Sequence, residues 1–504
     1  MVYGATVGGM MRRCLMIGLL LSGLLRLELV QAAPGAEEPV RARLDVEFEQ
    51  LRSDLEIPGL AYVVVRGDQV LWTGNLGTRR DSTTPFTSSD TLRVASVTKA
   101  LTGLLALKLA DAGKVNLDAT ASTQLPSGHP GADVPGSVLI RHLLSHSSEG
   151  VPGEEYVYSS SRYALLGPIL EQASGRTLED LLREELLEPA GAAWFDSPFL
   201  GAHAGLVSNV DNMGRVLQAL LSGKADGIEP IQRLAEPARS RYGKALPVSL
   251  GWFTQEILGQ RALWSFGQDD PDHSGALLML LPEQELGLFI LANDNRLSDP
   301  FRLLMGDLRK SPFAMAFLRL MVFSDPGNPL PPATIDTVTP KVKTQGDERI
   351  ARGLVALWRG NPDQAARWIG EGWSGEPDPV LQFAAVRLPP GPLKGALTRM
   401  GAALARERPS NRWIRLAQGY LEQQAGRDSQ AAEHFRAILE LPNQHPDRLR
   451  TMFQSWSLYA LAEIYLESNP ELARQSLQQL LELKPGDDAE KRARALLESM
   501  DSQP

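Results

Sequence analysis

The residues best suited to chemistry stand together in Ser96-Val97-Thr98-Lys99. If this stretch opens a helix, a spacing of i to i+3 places the hydroxyl and the amine on one face within one turn. The helix N-terminus then offers unpaired N–H groups to developing negative charge. A serine hydroxyl needs a nearby base to act as a nucleophile at neutral pH. A lysine partly desolvated in an apolar wall has its pKa lowered enough to be that base. The chemistry implied is nucleophilic attack by an activated serine hydroxyl. Ser-x-x-Lys alone is a common pattern, most often an exposed helix cap beside a solvated lysine, so its meaning depends on the elements around it. A second pairing, His142 and His146, has the four-residue spacing that allows metal ligation on a helix, but no third ligand stands nearby and no metal site is expected. Trp194, Trp252 and Trp264 read as core or cleft wall.

The elements that must position Ser96 begin with Pro58-Gly59, the β-rich run Leu60 to Arg66, the turn Gly67-Asp68 and the run Gln69 to Thr73, together a hairpin. Val94 to Gly113 has no proline, carries Leu101, Leu104, Leu105 and Leu109 at helical spacing, and stops at Gly113. That predicts a buried helix bearing Ser96 and Lys99. Further helices are expected at Arg141 to Leu144, Tyr163 to Ala173, Leu178 to Leu187 and Leu206 to Leu221. Strand patterns return at Ser249 to Ile257, Arg261 to Phe266, Ala276 to Leu281 and Leu286 to Leu291, followed by a helix from Pro300 to about Met305. Strands at both ends around a helical middle predict an α+β fold whose sheet joins distant parts of the chain.

Several ordered stretches carry a resemblance. Ile57-Pro58-Gly59-Leu60, Thr91 to Thr102 around Ser96, and Gly113-Lys114-Val115-Asn116-Leu117-Asp118 are followed by Ile140 to Ser148, Tyr158-Ser159-Ser160 with Tyr163 to Gly167, Ala204 to Ser208, and Leu291-Ala292-Asn293. From roughly Glu47 to Phe301 the chain resembles the serine β-lactamase and penicillin-binding proteins, with a class C-like pattern. The resemblance implies the β-lactamase/transpeptidase-like fold, an antiparallel sheet flanked by helices with a helical subdomain. It implies Ser96 as nucleophile, with Lys99 and Tyr158 moving the proton. The family's second box is Tyr-x-Asn; here Ser160 stands for the asparagine and offers one donor instead of a two-headed amide.

For the third box, Lys-Thr-Gly or His-x-Gly, two segments compete. Ser265-Phe266-Gly267 leaves fourteen residues before Pro282, enough for the family's turn and next strand, whereas His273-Ser274-Gly275 keeps the letters but leaves only six. Ser265-Phe266-Gly267 is preferred on that spacing. The usual cation of the box is then missing. Gly267 still allows close backbone approach, and the N–H groups of Gln268 and Ser96 are the expected oxyanion hole. The loop between Ser148 and Tyr158 has only nine residues, which predicts an open cleft.

The whole chain has 504 residues, 43% hydrophobic and 22% charged, with a net charge of −9 and no basic block, so a phosphate backbone is not an expected partner. Its only cysteine is Cys14, which leaves no disulfide within the chain and no cysteine-based metal site. Residues 1–32 read as a cleavable signal: Met11-Arg12-Arg13 precedes the apolar run Cys14 to Leu25, and Val30-Gln31-Ala32 puts small residues before Ala33. That predicts a periplasmic or secreted protein with no transmembrane segment after cleavage. Residues 33–323 form the expected hydrolase domain and 324–346 a Pro-rich linker. Residues 347–504 form a helical domain in which Ala365, Ala396, Ala431 and Ala473 recur 31, 35 and 42 residues apart. This region resembles degenerate tetratricopeptide repeats, whose period is about 34 residues.

Function is thus expected to be hydrolysis of an amide or ester in a small molecule or peptide, an esterase or peptidase more than an efficient β-lactamase, without a cofactor. A different class competes: a catalytically impaired domain that serves, with its repeats, as a binding scaffold for a protein partner.

Overall fold

The computed structural model describes residues 37–322 and 385–501, except 81, 224–233, 235, 258, 271–272, 387, 389, 408, 442–446 and 487. The expected signal and linker, and the unit anchored on Ala365, lie outside the described residues. Strands β1 (Gly59–Arg66) and β2 (Gln69–Gly77) form the hairpin. A short β3 (Leu92–Arg93) precedes helix α1 (Val97–Asp111), and a short β4 (Val207–Ser208) pairs with β3. Then come β5 (Val248–Ser249), β6 (Trp252–Ile257), β7 (Gln260–Asp269), β8 (Ser274–Leu281) and β9 (Leu286–Ala292). Their order in one seven-stranded antiparallel sheet is β2-β1-β9-β8-β7-β6-β5, so the first hairpin pairs with the last strand, Val63 opposite Phe289.

Alternation along the strands feeds two cores. Tyr62, Val64, Trp264, Phe266, Met279 and Ile290 face an apolar cluster filled by helices Glu37–Asp54 and Pro312–Met321, through Phe48 and Phe313. Ala61, Val63, Leu263, Leu278, Phe289 and Leu291 face the opposite cluster, which contains α1 and the helical subdomain. Because both faces are covered, β8 and β9 are buried at every position and read as continuous apolar runs. Helix α1 is buried from Val97 to Leu107, as an all-round apolar helix must be.

Four local readings shift. Val207–Ser208 is strand, and the helix starts at Val210, where the Asn209 side chain accepts the Asn212 N–H. Tyr163 to Ala173 divides into Ser160–Ala164 and Leu166–Ser174. The strand expected from Ser249 breaks at Leu250 (φ 47°) and Gly251 (φ 80°). Left-handed backbone at Arg302 (φ 47°) and Gly306 (φ 80°) turns the helix expected after Pro300 into separate 3₁₀ turns.

In the C-terminal region, helices Arg412–Gln424 and Asp428–Glu440 pack together, as do Asp447–Tyr465 and Pro470–Leu483. Ala431 and Ala473 are fully buried in these pairs, and a Cβ on Gly419 would lie 2.5 Å from the Phe435 ring. Helix Pro392–Glu407 places Leu397, Met400 and Leu404 in the same apolar cluster as Phe48 and Phe313. No described helix is long and apolar enough to cross a membrane.

Where α1 meets the β5–β6 break there is no room for a side chain: a Cβ on Gly103 would lie 1.6 Å from the Leu250 carbonyl oxygen. Gly-to-Ala in a helix interior normally stabilises by about 1 kcal/mol. Gly103→Ala is therefore expected to invert that sign and cost about 3 kcal/mol through displaced backbone, read as a lower midpoint in urea unfolding. Gly395→Ala, whose Cβ would meet only the tip of Arg399 at 3.4 Å, should be neutral or slightly stabilising.

Candidate active site

Ser96 occupies the N-cap of α1, and the residue before it, Ala95, sits in the left-handed region at φ 46°. Local bonds hold this corner. The Thr98 hydroxyl donates to Ala95 O at 2.7 Å and accepts the Leu206 N–H at 3.1 Å, while the Val94 N–H donates to Leu206 O at 3.0 Å. One turn on, Lys99 Nζ donates to Ser96 Oγ and to His203 O, both at 2.8 Å. The expected i, i+3 pair is thus formed.

Lys99 is 2% exposed and has no carboxylate partner among the described residues. Burial lowers its pKa from 10.5 to about 7, so near neutrality a large fraction of the amine is uncharged. Two aromatic rings roof it: Nζ lies 5.1 Å from the ring centre of Tyr158 and 5.7 Å from that of Tyr163. The Tyr163 hydroxyl donates to Lys99 O at 2.8 Å, and Gly251 packs against the same carbonyl. Tyr158 Oη is buried without a hydrogen-bond partner. Desolvation raises its pKa to about 12, and the nearby hydroxyls of Ser96 and Ser160 oppose the rise. It is therefore a protonated phenol beside a lysine that is partly free base.

The third expected box lies on β7. Strand β6 pairs with β7 only as far as Phe253 opposite Trp264, so residues 265–269 run past the end of that pairing. A Cβ on Gly267 would lie 2.2 Å from Val94 O; only glycine lets the strand backbone come so close to the entrance of α1. Ser265, two residues earlier, shares that face and is 2% exposed. Phe266 points to the other side, its ring centre 5.9 Å from that of Tyr158. The Gln268 side chain donates to Asp299 at 3.1 Å, and Ser298 donates to Gly267 O at 3.1 Å, which fixes this end of the strand. Ser160 is the first residue of a helix capped by Ser159. The rival His273 sits exposed in the β7–β8 turn at φ 50°.

One group escaped the sequence reading, and another was read there only as half of a rejected metal pair. His203 supplies the second acceptor for Lys99 through its backbone, which no side-chain pattern reveals. His146 stacks on Tyr158 instead of facing a metal; its Nδ1 accepts the Ser159 N–H at 3.2 Å, and His142 Nδ1 accepts the Leu139 N–H at 3.2 Å. Among the described residues no three His, Cys, Asp or Glu side chains are grouped to hold a metal ion.

A family model described as Beta-lactamase matches residues 44–305. The chain is 31% identical over 177 residues to penicillin-binding protein 4 of Amycolatopsis lactamdurans, covering 29% of this chain and 46% of that protein. It is 36% identical over 112 residues to esterase EstB of Burkholderia gladioli, covering 21% and 28%. With the D-alanyl-D-alanine-carboxypeptidase/endopeptidase AmpH of Escherichia coli K12 it shares 25% over 167 residues, covering 26% and 43%. The chain thus spans less than half the length of each of these relatives. Among solved structures, the octameric penicillin-binding protein homologue from Pyrococcus abyssi superposes with a TM-score of 0.48 at 19% identity, over 59% of this chain and 80% of that one.

The buried amine has a thermodynamic signature. With Lys99 at about 7 in the folded chain and near 10.5 when unfolded, the unfolded state holds more protons between these values, so this group makes stability rise as pH increases from 7 to 10. Lys99→Met should flatten that rise and stabilise the fold at pH 7 by roughly 1–2 kcal/mol. Urea titrations of both proteins at pH 7 and pH 9.5 measure it.

Proposed function

The chain belongs to the β-lactamase family of serine hydrolases, and we propose that it is an exported acyl hydrolase acting on esters or amides through a Ser96 acyl-enzyme. The 2.8 Å contact between the Lys99 amine and Ser96 Oγ, inside a wall that lowers the lysine pKa to about 7, carries this reading. In the proposed sequence, Ser96 Oγ attacks the carbonyl carbon and its proton passes to uncharged Lys99. The Tyr158 phenol then gives a proton to the leaving oxygen or nitrogen and is reprotonated from Lys99. The C–O or C–N bond breaks, leaving the acyl group on Ser96, and water releases the acid. The N–H groups of Ser96 and Gln268 are the proposed oxyanion donors, a contribution worth about 10²-fold or more. The Arg12-Arg13 and Val30-Gln31-Ala32 pattern supports export.

Substrate choice follows from the two altered boxes. Ser265 replaces the cation of the third box and Ser160 the asparagine of the second, so a substrate carboxylate or side-chain amide loses its usual anchors. Uncharged acyl esters fit this cleft better than penicillins. The names of the relatives, an esterase, a penicillin-binding protein and a carboxypeptidase, are consistent with one acyl chemistry on different substrates.

A fluorophosphonate should form a covalent adduct on Ser96, visible by intact mass, and Ser96→Ala should lack it and lose at least about 10³-fold in hydrolysis of a short-chain activated ester. The wild-type acylation rate should rise with pH through a midpoint near 7, as Lys99 becomes free base. Equal ester turnover by wild type and Ser96→Ala would overturn the reading. Classical β-lactams should acylate slowly, and Ser160→Asn combined with Ser265→His should speed them.

A further inference from the structure

Tyr158 packs against one residue that plays no part in the chemistry above. His146 is 2% exposed and, though not glycine, adopts left-handed backbone at φ 51°. Its carbonyl accepts the Val157 N–H at 2.8 Å, and its Nδ1 accepts the Ser159 N–H at 3.2 Å. The backbone on both sides of Tyr158 is therefore tied to a single residue. Its imidazole also stacks on the Tyr158 ring, with centroids 4.4 Å apart and planes 23° off parallel. It stacks at 5.2 Å on Tyr163 and meets Tyr156 edge-on at 6.1 Å. Such strained backbone persists only where surrounding contacts over-determine it.

We propose that His146 is a positioning residue that clamps Tyr158 over Lys99 and must stay neutral to do so. An Nδ1 that accepts a backbone N–H needs its lone pair, so the neutral ring carries its proton on Nε2. Protonation would turn the acceptor into a donor facing another donor and would set a second cation beside Lys99. The groups facing the ring from the packed elements are Lys99 of α1 and the phenols Tyr156, Tyr158 and Tyr163; no carboxylate among the described residues is hydrogen-bonded to it. Burial, then the proximity of Lys99, pushes its pKa down to about 3, in keeping with a permanently neutral clamp. The uncharged ring also excludes water from the amine, so the same residue supports the depressed pKa of Lys99.

This inference rests on the proposed role of Tyr158, and two variants separate its parts. His146→Phe keeps an apolar ring but removes the acceptor, leaving the Ser159 N–H buried and unpaired. The kcat for ester hydrolysis should fall by roughly 10²-fold with KM within about threefold, the scale of loss when a reacting group is misplaced by about 1 Å. His146→Asn keeps an acceptor and suits left-handed backbone but loses the stack. It should lose about tenfold, and its acid limb should move above 7 as water reaches Lys99. Thermal unfolding of each variant gives the folded fraction for normalising the rates. A readout on unmodified protein decides the matter should either variant not fold: in ¹⁵N-histidine spectra of the full chain, His146 should remain the neutral Nε2–H tautomer from pH 8 to pH 5. A His146 midpoint above 5.5, or kcat within threefold of wild type in both folded variants while Tyr158→Phe is inactive, overturns this inference alone. An active Tyr158→Phe would overturn the role of Tyr158 itself.

Discussion

The arrangement depends on the desolvation of one amine. Lys99 is buried with a serine hydroxyl and a carbonyl as its hydrogen-bond partners, and no carboxylate among the described residues offsets the cost of its charge. In water that amine would be almost fully protonated at neutral pH and useless as a base. In this wall its pKa falls to about 7. In the proposed mechanism the conflict between what stabilises a fold and what a base requires is resolved in favour of the base, and the surrounding elements enforce the burial.

Enforcement is structural. Helix α1 is wrapped on all sides, with Gly103 allowing the Leu250 carbonyl to press against it and Gly251 allowing Tyr163 and the Lys99 carbonyl to meet. Three non-glycine residues in left-handed backbone, Ala95, His146 and Leu250, surround this point. Each costs of order 1 kcal/mol or more and is tolerated where packing leaves no alternative. The sheet contributes from the other side: β6 stops pairing at Trp264, and the continuing stretch of β7 brings Gly267 against the residue two before Ser96. The helix bearing Ser96 and Lys99 and the strand β7 thus come from segments far apart in the chain, packed together on a sheet whose first hairpin pairs with its last strand.

Much of this was legible in the sequence, and the reasons differ by residue. Ser96 and Lys99 could be placed because apolar residues at helical spacing fixed their helix and i, i+3 fixed their shared face. The α+β pattern followed from strands at both ends. Within the resemblance, spacing chose Ser265-Phe266-Gly267 over His273-Ser274-Gly275; the chosen segment lies on β7, and His273 lies in the turn that follows. What escaped was carried by backbone or by stacking. The His203 carbonyl has no side-chain signature, and the His142/His146 spacing invited comparison with metal ligands although the second ring lies flat on a tyrosine. Helix limits at Leu206 and Pro300 were misplaced because Asn209 capping and the left-handed Arg302 are local backbone events within an apolar pattern that continues through them.

The central claim is that burial alone turns Lys99 into a base that functions near neutral pH. Its most direct test is the titration of the Lys99 side chain in the full chain, followed by ¹³Cε NMR of ¹³C-lysine-labelled protein with Lys99→Met supplying the assignment. The account predicts one lysine with a midpoint near 7, well separated from the others. A Lys99 midpoint at or above about 10, the ordinary range for a solvated lysine, would contradict it.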